Sequence, residues 1–210
     1  MINEAIPGGD RTFWGISAFV FVASAAATIW LCGTMSGGMP MPGGWTMSMA
    51  WMTMPGQHAL GAAAAFVAMW IVMMAAMMLP SLAPTLSNYR HAMHLADGGA
   101  GKPVFLAGTS YFLVWTGFGI LAYFVGLGLV AMEMRSPTLA RYVPILAGAV
   151  VLLAGAAQFS EWKARSLTRC CEMPACSSPV DSHAAWNYGL HLGLNCALCC
   201  AGFMAILLVL

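Results

Sequence analysis

The chain has 210 residues, of which 60% are apolar and only 7% charged, with a mean hydropathy of +0.79. A water-facing surface cannot be built from so few charges, since soluble domains carry roughly 25% charged residues. Eight Lys/Arg against seven Asp/Glu also exclude the clustered basic surface that nucleic-acid binding requires.

The first segment, Met1–Arg11, carries Glu4 and Asp10 ahead of an uncharged apolar run at 12–33. That run is long enough to span and lacks a clear small-residue cleavage site, so a retained first helix is expected rather than a removed leader. The loop at 34–57 is rich in Gly and Pro and contains Met35, Met39, Met41, Met47, Met49, Met52 and Met54. Such a loop has little core for methionine to fill. Closely spaced thioethers there suit a soft metal, Cu(I) first, in an oxidising compartment; the competing reading is a loop that lies on the membrane and anchors through Met and Trp.

The second apolar run covers 58–86 and contains MWIVMMAAMMLPSLAP. Met69, Met73 and Met77 recur at i, i+4, i+8 and so share a face, flanked by Met74 and Met78. Pro80 and Pro84 follow, predicting a kinked or unwound stretch below the methionines. In the next loop His91 and His94 are read as solvated rather than metal-bound. The third run, 103–132, and the fourth, 142–160, are uncharged and apolar. Gly117, Gly119, Gly126 and Gly128 in the third suit close helix packing.

The loop at 161–187 holds Cys170, Cys171 and Cys176, which stay reduced and available as ligands if that face is cytoplasmic, and become disulfide candidates if it is not. The last run, 188–210, reads HLGLNCALCCAGFM in its first half. Cys196, Cys200 and Met204 fall at i, i+4, i+8 with Cys199 beside them, and His191 lies towards the helix start; two thiols one turn apart with a thioether make a soft-metal clamp. The cysteines are followed by Cys rather than His, which excludes a c-type haem attachment. The competing reading is that these are small apolar side chains in a buried helix. At ~1.5 Å per residue, Met77 lies about 13 Å in from Leu86, and Cys196 to Cys200 about 10 to 17 Å in from Gly189. Both helices thus bring sulfur to one depth.

Five runs of about 20 residues or more predict an all-α fold, a polytopic transmembrane helix bundle of about five spans forming a single domain. Arg11, Arg90, Lys102, Lys163, Arg165 and Arg169 fall on one side of these spans, against Arg135 and Arg141 on the other. The excess places the N-terminus in the cytoplasm.

Four stretches together resemble a family of bacterial integral membrane proteins predicted to bind metal. They are Met69-Trp70 through the AMMLPS ending at Ser81, Tyr111 with Val114-Trp115, the Gln158, Lys163, Cys170 stretch, and HxGLxCxxCCxxxM from His191 to Met204. The family has a cysteine where Ser166 stands, so its cysteine pair before the last helix is displaced here to Cys170 and Cys171. The resemblance implies a multi-helix, metal-associated protein of the bacterial inner membrane and no fixed reaction. The Met-rich loop is outside it.

The leading expectation is copper(I) binding or handling. The ligand set would be Met73, Met77, Met78, His191, Cys196, Cys199, Cys200 and Met204, supplied by Met35, Met39, Met41, Met47 and Met49 outside and by Cys170, Cys171 and Cys176 on the other face. The alternative is an accessory or scaffold subunit of a membrane oxidoreductase, such as a copper-dependent oxygenase or a respiratory or photosynthetic complex. No residue set points to catalysis by this chain alone. The expected partners are the lipid bilayer and either other membrane subunits or further copies of the chain.

Overall fold

A computed structural model describes residues 8–34, 38–40, 46–48, 58–97, 101–161 and 182–209. Five long helices carry the fold: α1 Gly8–Thr34, α2 Ala59–Asp97, α3 Gly101–Arg135, α4 Pro137–Gln158 and α5 Ser182–Val209. The all-α bundle read from the apolar runs is the observed architecture. Among the described residues, α1, α2, α3 and α4 are long and apolar enough to cross a membrane. The fifth helix has 28 residues, and Asn187, His191 and Asn195 lower its hydropathy.

The loop after α1 adds a two-stranded antiparallel ribbon, β1 Gly38–Pro40 with β2 Thr46–Ser48, in which Met39 is paired with Met47.

Helix α2 departs from expectation in two ways. It runs 39 residues without interruption through Pro80 and Pro84, so the unwound stretch expected below the methionines does not occur. Both prolines sit on the exposed side, and the Ser81 and Thr85 hydroxyls bond back to the carbonyls of Met78 and Ser81 at 2.9 and 3.3 Å, adding hydrogen bonds within the proline-bearing turns. The helix also continues past 86 to Asp97. Tyr89 and Met93 in that extension are buried, and Tyr89 stacks on Tyr188 of α5 with ring centroids 4.6 Å apart.

A winding stripe of α2 forms the core. Phe66, Trp70, Met74, Met78, Leu82 and Leu86 follow one another at four-residue spacing and are all buried; each step turns about 40°, so the buried stripe winds around α2 along its length. They meet Tyr111, Trp115, Ala122 and Tyr123 of α3. The Trp70 indole N–H donates to the Trp115 carbonyl at 2.9 Å, fixing the register of α2 on α3. Gly119 makes room for that indole: a Cβ there would overlap the Trp70 ring. Gly117 and Gly128, also expected at a helix contact, face open space.

Helix α5 lies along α3, and the two run parallel. Gly189 faces Ala107 and Ser110, Gly193 faces Tyr111 and Val114, and Cys196 reaches Tyr111. At Gly189 the backbones come so close that a Cβ would overlap both the Ser110 hydroxyl and the Ala107 carbonyl, the small-residue approach common between membrane helices. Helix α4 packs on α5 and α3.

Candidate metal centre

The site is built where α2, α3 and α5 meet. Trp70 sets α2 on α3, which places Met78, two turns further along the same stripe, level with Tyr111. The glycines of α5 let that helix approach α3 closely enough to bring Cys196 to the same level. Cys196 Sγ lies 3.9 Å from Met78 Sδ and in line to donate its thiol hydrogen to it. The Tyr111 hydroxyl donates to Cys196 Sγ at 3.1 Å. Cys200 lies one turn along α5 from Cys196, and both are half-buried against the same core.

Burial graces this cluster unevenly. Met78 is 5% exposed, Tyr111 1% and Met74, one turn from Met78 on the same face, 0%. Cys196 and Cys200 are half-buried against the core. None of Cys196, Cys199 and Cys200 is in a disulfide. Trp115 is buried one turn beyond Tyr111, and its indole N–H has no hydrogen-bond partner among the described residues.

The expected ligands divide as follows. Met78, Cys196 and Cys200 are brought together. Cys199 and Met204 are buried on α5 at 5% and 9% exposure, on the flank of the cluster and one turn beyond Cys200 respectively. Met73 is half-buried against the core. Met77 is 42% exposed, because the residue before Met78 points about 100° away around a 3.6-residue helix. His191 is exposed for the same reason: five residues before Cys196, it sits about 140° around α5. Of the loop residues, Met35, Met41, Met49, Cys170, Cys171 and Cys176 lie outside the described residues, while Met39 and Met47 occupy the paired backbone of β1 and β2.

Two neighbours of the site were not among the expected ligands. Tyr111 belongs to an aromatic motif that carried no chemical role in the sequence, and Met74 was read as a flank of the Met69, Met73, Met77 stripe. The buried stripe is the other one, Met74 and Met78.

Among the described residues, no group of three or more His, Cys, Asp and Glu side chains could hold a metal ion. The cluster is instead two thiols and a thioether. That donor set is poor for hard cations and suited to a soft one such as Cu(I).

Of the comparisons with known proteins, the scan of family models gives a match. The family model described as "PpoB2: Copper chaperone" matches residues 67–210, which takes in α2 from its third turn, all of α3, α4 and α5, and every residue of the cluster; the Met-rich loop precedes the match. No curated protein and no solved structure matches the chain. Because the family model covers more than half of the sequence, the chain belongs to the PpoB2 copper chaperone family.

Proposed function

We propose that this protein is a membrane-embedded copper(I) chaperone whose cargo is held by Cys196, Cys200 and Met78, with Tyr111 hydrogen-bonded to the first of these. The observation that carries the reading is the convergence of Met78 and Cys196, two residues 118 apart in the chain, from two different helices. At a metal–sulfur bond of ~2.3 Å, two sulfurs of a trigonal site stand about 4.0 Å apart. The observed 3.9 Å is also ordinary sulfur contact, so copper enters with little movement of either helix.

Binding is ligand exchange without a redox step. Cu(I) displaces the proton of a coordinating thiol, the thiolate forms the bond, and the proton leaves to solvent or to the copper donor. A neutral thioether beside the thiolates completes the soft coordination while adding no charge. Keeping the ligand number low leaves Cu(I) open to attack by an incoming sulfur, which is what a carrier needs and a storage site does not.

The same reading places the chain in the bacterial inner membrane with its N-terminus in the cytoplasm. Six basic residues on one side and two on the other support that orientation. The loop at 34–57 then lies outside and collects Cu(I) through its thioethers. Met73, Cys199 and Met204, which lie within two turns of Met78 or Cys200 along the same helices, serve as neighbouring thioethers and thiol along the route.

The test is elemental analysis of the full-length protein purified in detergent and loaded with Cu(I). About one tightly held copper per chain is expected in the α2–α5 site, lost when Cys196 and Cys200 are both changed to Ser. Retention of that copper by the double variant would remove the reading.

A further inference from the structure

On the side of α3 away from the sulfur cluster, α1, α2 and α3 enclose an open cleft of about 1190 Å³. Its wall is apolar, with Ile16, Leu82, Leu86, Phe105 and Phe112 prominent. Tyr111 faces Cys196 while the next residue, Phe112, faces the cleft, so the two sites share α3 without sharing residues.

The cleft has one polar end. Arg90 is the charged side chain among its described lining residues, and its guanidinium stands over the Phe13 ring, 5.8 Å from the centroid. Phe13 and Thr12 come from the start of α1, Arg90 from the last turns of α2 and Gly101 from the first residue of α3. All four therefore mark the same end of the bundle, where Arg11 and Lys102 are exposed. Asp10 and Asp97 belong to the same helix ends, so that face is mixed in charge and discrimination falls to Arg90 in the wall itself.

The cleft is long enough to take a lipid tail. Along α3 it extends from Gly101 to Thr116, about 22 Å at 1.5 Å per residue, more than the about 15 Å of hydrocarbon in one leaflet. A chain entering from the Arg90 end would run the depth of its leaflet along apolar wall and keep its headgroup at the guanidinium. Basic side chains between membrane helices near the cytoplasmic face are suited to anionic headgroups, and Arg can hold two phosphate oxygens at once.

We propose that the α1–α2–α3 cleft is a binding site for one anionic phospholipid, with an acyl chain in the cleft and the phosphate at Arg90. The inference rests on membrane placement of these three helices and not on the copper reading. Gly108 provides a second handle. A Cβ there would only touch Leu86, at 3.7 Å, so Gly108→Ala fits and Gly108→Leu projects a side chain into the cleft.

The experiment is native mass spectrometry of the full-length protein in detergent, titrated with phosphatidylglycerol and with phosphatidylethanolamine of identical acyl chains. The wild type is expected to bind phosphatidylglycerol about fivefold more tightly, the factor associated with one basic side chain at an anionic lipid surface. Arg90→Gln should erase the preference and Arg90→Lys retain it, while Gly108→Leu should weaken both lipids; glycerol phosphate alone should not bind. Equal affinity for the two lipids in the wild type would overturn the proposal, as would a preference that survives Arg90→Gln. A dimer whose formation excludes lipid would also overturn it, by giving the cleft to a second copy. Copper content, read on the same samples, should be unchanged in the Arg90 variants, so failure of either site is seen separately.

Discussion

Substituting Gly189 by Ala tests whether backbone approach between α3 and α5 creates the metal centre. A methyl group at that position overlaps the Ser110 hydroxyl and the Ala107 carbonyl. Restoring contact distances of about 3.3–3.6 Å between carbon and a carbonyl oxygen requires α5 to move off α3 by roughly 1 Å or more. Cys196 lies two turns further along α5, so the displacement reaches it, and the 3.1 Å hydrogen bond from Tyr111 opens to about 4 Å, beyond hydrogen-bonding distance. Overpacking of this kind costs about 1–3 kcal/mol. The assays are thermal unfolding in detergent and copper content after Cu(I) loading. Gly189→Ala is expected to unfold at a lower temperature and to hold less copper. Gly117→Ala and Gly128→Ala, which face open space inside α3, are expected to be at least as stable as the wild type and to hold as much copper. A Gly189→Ala protein with wild-type stability and full copper would refute the reasoning, because neither the close approach nor its consequence for Cys196 would then be real.

Met78→Ala should lower Cu(I) affinity by about tenfold or more, as loss of one of three ligands, whereas the exposed Met77→Ala should leave it unchanged; competition against a chromogenic Cu(I) chelator measures both. Tyr111→Phe removes the donor to Cys196 and is expected to change the rate of copper transfer to that chelator by about tenfold, the size of a hydrogen bond to a charged sulfur, with copper stoichiometry preserved. Trp70→Phe deletes the 2.9 Å bond to the Trp115 carbonyl and should destabilise the protein by about 1–3 kcal/mol in denaturant unfolding. His191→Ala should bind copper as the wild type does.

The helices were legible because long apolar runs interrupted by charge are a simple code. Their ends were less so. Charge marks where an apolar run stops, not where hydrogen bonding stops, and α2 keeps its helical form for eleven residues beyond the apolar run, where Tyr89 stacks on Tyr188 of α5 and Met93 is buried. The sulfur site was legible in its depth and chemistry but not in its rotation. Met69, Met73 and Met77 form one helical stripe and Met74 and Met78 another, and periodicity alone ranks the longer one first. The choice is made by tertiary contacts: Trp70, bonded to α3, and Gly119, which admits its ring, turn the Met74–Met78 face inward. Tyr111 could be suspected only once α5 was known to run beside α3, since 85 residues separate it from Cys196.

The central claim is that copper binds between α2 and α5, and X-ray absorption of the Cu(I)-loaded protein tests it most directly. The expected spectrum is that of Cu(I) with two or three sulfur neighbours near ~2.3 Å, losing a sulfur in Met78→Ala and disappearing in the Cys196→Ser, Cys200→Ser double variant. An unchanged sulfur shell in those variants, or a shell of nitrogen and oxygen in the wild type, would contradict it.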